Sequence, residues 1–128
     1  MSSTRTRLGR IGQVSLSIRD VARAERFYGE TLGLPHVFTC GDLAFFDADG
    51  TRLYLHRKDE AEWQASSVLY FLVDDIATAQ EDLAARGVHF TGAPHRIHTH
   101  DDGTEEWMTF FADGEGNTLA LMSRVSPG

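Results

Sequence analysis

The stretch IGQVSLSIRDVARAERFYGETLGL, residues 11–34, contains the pattern of a strand followed directly by that of a helix. From Gln13 to Ile18 polar and apolar residues alternate, which predicts a strand with one polar and one apolar face. Asp20 predicts the N-cap of the helix, and Gly33 predicts its end. Between them the apolar residues recur at helical spacing: Val21, Ala24, Phe27, Tyr28 and Leu32. The stretch therefore predicts a βα unit.

The polar face of this strand, made by Gln13, Ser15 and Ser17, has two interpretations. It is solvated if the strand lies in an antiparallel sheet with water on one side, which is a common arrangement. It lines a cavity if the sheet bends around a ligand. The pattern of the strand alone leaves both interpretations open.

The same pattern occurs again in the second half of the chain. SIRDVARA, residues 17–24, aligns with LVDDIATA, residues 72–79. DADGTRLYL, residues 47–55, aligns with DGEGNTLAL, residues 113–121. Because the second pair of segments lies farther apart in the chain than the first, we predict an insertion in the second copy, within residues 93–104. Two copies of one unit indicate that neither buries its apolar face alone.

Each half therefore predicts the order strand, helix, strand, strand, strand, and together the halves predict an α+β fold with helices outside two curved sheets. The second helix begins at Asp74 or Asp75 and ends at Gly87. Its apolar stripe is Ile76, Ala79 and Leu83. The remaining predicted strands are HVFTC, LAFFDA and TRLYLH in the first half and SSVLYFLV, VHFTG, EEWMTFFA and NTLALMS in the second.

Composition fits a single domain over residues 1–128, with module one at about 8–57 and module two at about 66–123. The net charge of −7 argues against nucleic acid as a partner, since phosphate binding needs a clustered positive surface. No run of about 18 apolar residues predicts a membrane span, and no apolar segment predicts a signal peptide. We therefore expect a cytoplasmic protein without a membrane partner. The single Cys40 excludes an internal disulfide.

The opening βα unit resembles that of the vicinal oxygen chelate superfamily, which includes glyoxalase I, extradiol dioxygenases and bleomycin-resistance proteins. FFDADGTRLYL, residues 45–55, and FFADGEGNTLALM, residues 110–122, strengthen the resemblance, which covers about residues 8–123. It implies two βαβββ modules, each bending its sheet into half of a cup. The cup binds the ligand, often between modules of two chains of a homodimer. In that fold the polar face of the first strand looks into the cup.

The resemblance also implies a divalent metal, held by His, Gln or Glu side chains on the first and last strands of each module. The repeat alignment places the four equivalent positions at Gln13, Tyr54, Val68 and Ala120. Val68 and Ala120 have no donor atom, and deprotonating the phenol of Tyr54 is costly near neutral pH. One neutral amide cannot hold a divalent ion when three or four protein ligands are the norm. We therefore predict no cofactor, with a divalent metal in an atypical ligand set as the alternative.

Strand periodicity within this fold predicts which side chains bind the ligand. They are Gln13, Ser15, Tyr54, His56, Tyr70, Met108, Phe110 and Met122. Aromatic walls with few polar groups suit a planar or hydrophobic small molecule. The alternative is that these side chains fill the cup as ordinary core, above all Phe110 and Met122.

The predicted insertion holds three of the six histidines: His95, His98 and His100. We expect it to form a flap over the cup, with a solvated loop or a weak metal site as alternatives. Glu106 and His56 are the candidate catalytic residues. Because Glu106 shares a strand face with Met108 and Phe110, we expect apolar walls to raise its pKa.

Three functions are compatible with these patterns. The first is a metal-free homodimer that binds a hydrophobic or aromatic compound, for resistance or sequestration, as in the bleomycin-resistance branch. The second is a metal-dependent lyase, isomerase or dioxygenase with ligands drawn from Gln13, His56 and the histidine-rich insertion. The third is a metal-free enzyme with His56 or Glu106 as its base. A resemblance of fold does not choose among them, because function belongs to the site; the missing ligands favour the first.

Overall fold

Each half of the chain forms a four-stranded mixed sheet with its own helix, in a computed structural model that describes residues 6–127. Residues 1–5 and 128 of the predicted domain lie outside the described residues. The first module consists of β1 (Gln13–Ile18), α1 (Val21–Glu25) continued by a π-helix (Arg26–Thr31), β2 (His36–Cys40), β3 (Leu43–Ala48) and β4 (Thr51–Arg57). The second consists of β5 (Leu69–Leu72), α2 (Ile76–Ala85), β6 (His95–Thr99), β7 (Glu105–Ala112) and β8 (Thr118–Val125). The predicted α+β class with two βαβββ modules is confirmed.

The two sheets have the same strand order, β1-β4-β3-β2 in sheet one and β5-β8-β7-β6 in sheet two. In each sheet the first and last strands of the module pair in parallel, and the other pairs are antiparallel. Ser15 lies opposite Tyr54 in sheet one, and Tyr70 lies opposite Ala120 in sheet two. The repeat alignment matches Ser15 with Tyr70 and Tyr54 with Ala120, so the structure confirms it.

The core lies on the side of the sheets that carries the helices. Leu16 and Ile18 are fully buried there with Tyr28 of the π-helix, while Gln13 and Ser15 lie on the other face of β1. The second module contributes Ile76, Val88, Phe111, Leu119 and Leu121 to the same cluster. Each fully buried Leu or Ile stabilises the fold by roughly 1.5–3 kcal/mol. One core therefore spans both modules, as the repeat predicts.

The helix boundaries follow local chemistry. The side chain of Asp20 accepts from the backbone N–H of Arg23 at 2.8 Å, and that of Asp75 accepts from Thr78 at 3.0 Å. Asp75, rather than Asp74, is therefore the N-cap of α2. Gly33 follows the first helix at φ 78°, a conformation that side-chain-bearing residues rarely adopt.

The insertion lies where the alignment predicts it and forms part of a hairpin. Phe90 forms an isolated β-bridge with Phe111 in the second module, and His36 pairs with Phe46 in the first. These two pairs occupy equivalent positions in the two modules. Because the chain between Phe90 and Phe111 is longer than that between His36 and Phe46, the extra residues fall there. They lengthen the β6–β7 hairpin, and the expected flap over the cup stays a prediction. The predicted strand VHFTG is reduced to the single bridge at Phe90.

Within residues 6–127, no helix has both the length and the apolar content that crossing a membrane requires.

Candidate functional site

The face of each sheet turned away from the helices, here called its inner face, carries the side chains expected at the site. In β4, Leu53 and Leu55 are buried in the core, so the alternate residues Tyr54 and His56 lie on the inner face of sheet one. Ser15 lies beside Tyr54 and Ser17 beside His56 in the register with β1. Gln13 shares this face at the exposed start of β1.

Four nearly parallel rings cross the inner face of sheet one, and we call them the aromatic row: Phe38, Phe45, Tyr54 and His56. Phe38 and Phe45 stack with ring centroids 4.3 Å apart, and Phe45 and Tyr54 stack at 5.0 Å. His56 continues the stack at 5.6 Å from Tyr54, with its Nδ1 3.5 Å from the phenol oxygen. The guanidinium of Arg52 lies 5.4 Å from the ring of Phe45. Because the rings stack on one another, the row presents a line of ring edges with one cation beside it.

Sequence reasoning missed Phe38, Phe45 and Arg52. In LAFFDA one of two adjacent phenylalanines must face away from the core, and the register chooses Phe45, since Phe46 is fully buried. Phe38 reaches the inner face because β2 has a bulge between His36 and Phe38. The alternation of the strand is enough to predict that Phe45 faces away from the core. No sequence pattern predicts the bulge that brings Phe38 to the inner face.

The inner face of sheet two carries the other four predicted ligand-binding residues: Tyr70, Met108, Phe110 and Met122. Tyr70 and Phe110 meet edge to face at 5.9 Å, and His95 lies 6.2 Å from Phe110. Phe110 and Met122 are half-buried and do not belong to the core cluster. Tyr70 is 43% exposed and Leu72 is 66% exposed. The structure thus divides the eight predicted residues equally between two sheets.

The cavities among residues 6–127 include four of about 310–540 Å³. The one of about 440 Å³ lies between β4 and β5 and has Tyr70 in its wall. The walls of the other three contain none of the eight predicted residues. These cavities therefore do not define the predicted site, which rests on the inner faces themselves.

The positions that hold the metal in the resembling family do not fit a divalent ion here. Ala120 lies between Tyr70 and Phe110 in the register and is fully buried, so their rings cover the place of a ligand. Val68 supplies no donor, and Gln13 and Tyr54 alone fall short of three ligands. Across residues 6–127, no group of three or more His, Cys, Asp or Glu side chains is arranged to hold a metal.

The three histidines of the insertion do not converge on one point. His95 lies against Phe110, whereas the rings of His98 and His100 meet edge to face with centroids 4.6 Å apart. His100 Nε2 lies 2.5 Å from a carboxylate oxygen of Glu106. The weak alternative of a metal held by all three histidines therefore has no geometric support.

The carboxylate of Glu106 lies on the inner face of sheet two, in register with Arg124 and His98. Its hydrogen bond with His100 holds its pKa below the ordinary value; burial opposes this effect, and the charges of His100 and Arg124 add to the lowering. The expected rise of the Glu106 pKa is therefore wrong. Glu106 is an ionised carboxylate near neutral pH, suited to orienting an imidazole rather than to donating a proton.

The comparisons with known proteins agree with this geometry. Residues 10–121 match the sequence profile of the Glyoxalase/Bleomycin resistance protein/Dioxygenase superfamily. The chain belongs to this superfamily. A relative, the uncharacterised protein YraH of Bacillus subtilis (strain 168), is 28% identical in an alignment of 127 positions, which covers 85% of this chain and 94% of YraH.

Solved structures show the same fold at low identity. An integron cassette protein of V. cholerae has a TM-score of 0.73 at 19% identity, over 94% of this chain and 98% of that one. A virulence protein of Salmonella typhimurium has a TM-score of 0.73 at 21% identity, over 92% and 98%. Lactoylglutathione lyase of Agrobacterium tumefaciens has a TM-score of 0.70 at 20% identity, over 91% and 95%. At such identities the likeness establishes the glyoxalase-superfamily fold alone.

Proposed function

We propose that this member of the superfamily binds a planar aromatic or hydrophobic small molecule on its inner faces, as a homodimer and without a divalent metal, in resistance or sequestration. The aromatic row is the observation that carries the proposal. The positive edges of its rings attract the negative face of a flat aromatic molecule laid across them, and each such contact adds roughly 0.5–1.5 kcal/mol beyond area burial. A cytoplasmic location stays a prediction.

Exposure of apolar side chains on both inner faces supports a homodimer. Phe38 is 43% exposed on sheet one, and Tyr70 and Leu72 are 43% and 66% exposed on sheet two. Exposed apolar surface of this kind marks a binding or association surface. A second copy of the chain covers both faces by one symmetric contact, in which each sheet of one protomer meets the other sheet of its partner.

The donor set supports binding without a divalent metal at the family's positions. Only Gln13 and Tyr54 carry side-chain oxygen or nitrogen there, and Ala120 is covered by aromatic rings. The metal-dependent lyase, isomerase or dioxygenase has no observation of its own in its favour. We therefore derive the binding from aromatic and apolar contact alone.

The test is a thermal-shift screen of flat aromatic compounds with and without EDTA, followed by calorimetric titration of the hits. Tyr54→Ala and Phe110→Ala each weaken binding by about 1 kcal/mol or more, because each removes an aromatic anchor. Val125→Ala is the matched control, since Val125 is 44% exposed but lies on the other face of β8. Hits that disappear on chelation, or affinities that neither aromatic variant changes, contradict the proposal.

A further inference from the structure

We infer that His100 and Glu106 form a general-base pair, which removes a proton from a molecule held against the inner face of sheet two. The inference adds a reaction to the binding proposed above and rests on it only for the place of the substrate. It replaces the expectation that Glu106 itself is the acid or base.

The pair lies at the end of the apolar surface of sheet two. Glu106, Met108 and Phe110 alternate with core-facing residues along β7, so all three are on the inner face. Two residues along a strand span roughly 7 Å, about the length of one aromatic ring. A flat molecule lying on Met108 and Phe110 therefore has its edge near the pair.

Backbone hydrogen bonds hold the turn that carries His100. His100 follows β6 and begins a turn in which its N–H donates to the carbonyl of Thr104 at 2.8 Å. The N–H of Gly103 donates back to the carbonyl of His100 at 2.9 Å. The side chain is 43% exposed, so a substrate reaches it without a change in the fold.

The carboxylate determines which nitrogen acts. When Nε2–H of the neutral imidazole donates to Glu106 at 2.5 Å, Nδ1 carries the free electron pair that accepts a proton. The carboxylate then stabilises the imidazolium that forms. A base oriented in this way by a third group is the recurring arrangement in acid–base catalysis. Glu106 is thus a positioning residue, and His100 is the group that contacts the substrate.

The other charged groups around the pair come from three elements. His98 of β6 meets the ring of His100, and Arg124 of β8 places its Nε 3.8 Å from Glu106. Asp102, in the turn between β6 and β7, interacts electrostatically with His100. Arg124 and Asp102 thus place opposite charges near the pair. Of these groups, the carboxylate of Glu106 is the one hydrogen-bonded to the imidazole.

The experiment measures proton removal from nitrobenzisoxazole, a flat aromatic carbon acid. His100 takes the ring C–H proton, the electron pair forms the nitrile as the N–O bond breaks, and cyanonitrophenolate leaves with the electrons of that bond. His100 then returns the proton to water, so the reaction needs no other reactant. We expect His100→Gln to lower the second-order rate constant by about 10-fold or more, within the usual range for general-base catalysis. His89→Gln is the matched control, because His89 is exposed in the loop after α2.

Glu106→Gln tests the positioning role. It lowers the rate and moves the midpoint of the pH–rate profile to lower pH, because the protonated imidazole loses its carboxylate. If Glu106→Gln acts only by impairing folding, the rate falls but the midpoint of the pH–rate profile does not move. Equal rate constants for the wild-type chain and His100→Gln overturn the inference. Equilibrium dialysis of nitroindazole, an unreactive analogue, separates this failure from a failure of binding: retained binding leaves the proposed function standing without the base.

Discussion

The buried hydroxyl of Tyr28 joins the two modules by a direct hydrogen bond. This hydroxyl donates to the carboxylate of Asp113 at 2.8 Å, from the first module to the end of β7. Burial, followed by the charge of Asp113, raises the pKa of Tyr28 well above its ordinary value. Ionisation of Tyr28 therefore destabilises the folded chain.

We expect Tyr28→Phe to lower the free energy of unfolding by about 1–3 kcal/mol, because Asp113 loses one of its hydrogen bonds at almost constant volume. Urea unfolding followed by circular dichroism measures the change. Tyr70→Phe is the matched control, since Tyr70 is 43% exposed, and its effect is under about 0.5 kcal/mol.

The same substitution predicts a pH dependence. A raised pKa in the folded state means that stability is complete below the unfolded tyrosine value of about 10 and is lost as pH rises from there towards the folded value. Tyrosine titrates at about pH 10. Between about pH 9 and pH 11 the wild-type chain therefore loses more stability than Tyr28→Phe does. Parallel pH curves for the two proteins contradict the role of Tyr28.

Single residues differ in how well the sequence predicts them. Asp20 and Gly33 act within a few residues of themselves, so their roles in capping and ending the first helix follow from local rules. The pKa of Glu106 depends on His100, which approaches it only through the hairpin. The apolar neighbours that suggested a raised pKa are present, but the decisive partner comes from another segment.

At the scale of elements, the loop DGEGN, residues 113–117, fastens the second module to the first. The buried carboxylate of Glu115 accepts from the backbone N–H groups of Arg19 and Asp20 at 2.7 and 2.9 Å and from the side chain of Arg23. Gly116 has φ 101°, and a Cβ there lies 2.7 Å from the ring of Trp63. The loop therefore requires both its acid and its glycine.

We expect Glu115→Gln to destabilise the chain by about 2–4 kcal/mol, because the amide group places a donor against Arg23 in a buried site. Chemical denaturation measures this loss. Glu60→Gln is the control: Glu60 pairs with Arg19 at 2.6 Å, but its side chain is 77% exposed, so its loss has little effect on stability. Equal effects of the two substitutions contradict the proposed fastening role of Glu115.

Strands whose polar and apolar residues alternate clearly are well predicted from the sequence. Strands that form only because they pair with a neighbouring strand are not. The bounds of β2, β3 and β7 agree with the predicted strands, since alternation and turn residues delimit them locally. β6 lies inside the predicted insertion and is absent from the predicted strands, because HRIHT shows no alternation of polar and apolar residues. All five of its residues are exposed. Pairing with β7 alone makes this segment a strand, and the aromatic row likewise depends on a register that spans three strands.

For the whole molecule, the decisive prediction is the homodimer. At micromolar concentration, analytical ultracentrifugation yields one species of twice the 14.2 kDa chain mass. We expect Leu72→Asp to shift this species to the monomer, because Leu72 is 66% exposed on the inner face and a carboxylate there loses its solvation on association. Val125→Asp leaves the dimer intact, since Val125 is 44% exposed on the opposite face of β8. A wild-type chain that sediments only at 14.2 kDa contradicts the dimer.

Ligand affinity measured on the Leu72→Asp monomer then distinguishes a site shared between two chains from a site formed by one chain. Weaker binding means that the partner's sheet completes the site, and unchanged binding means that the aromatic row of one chain suffices.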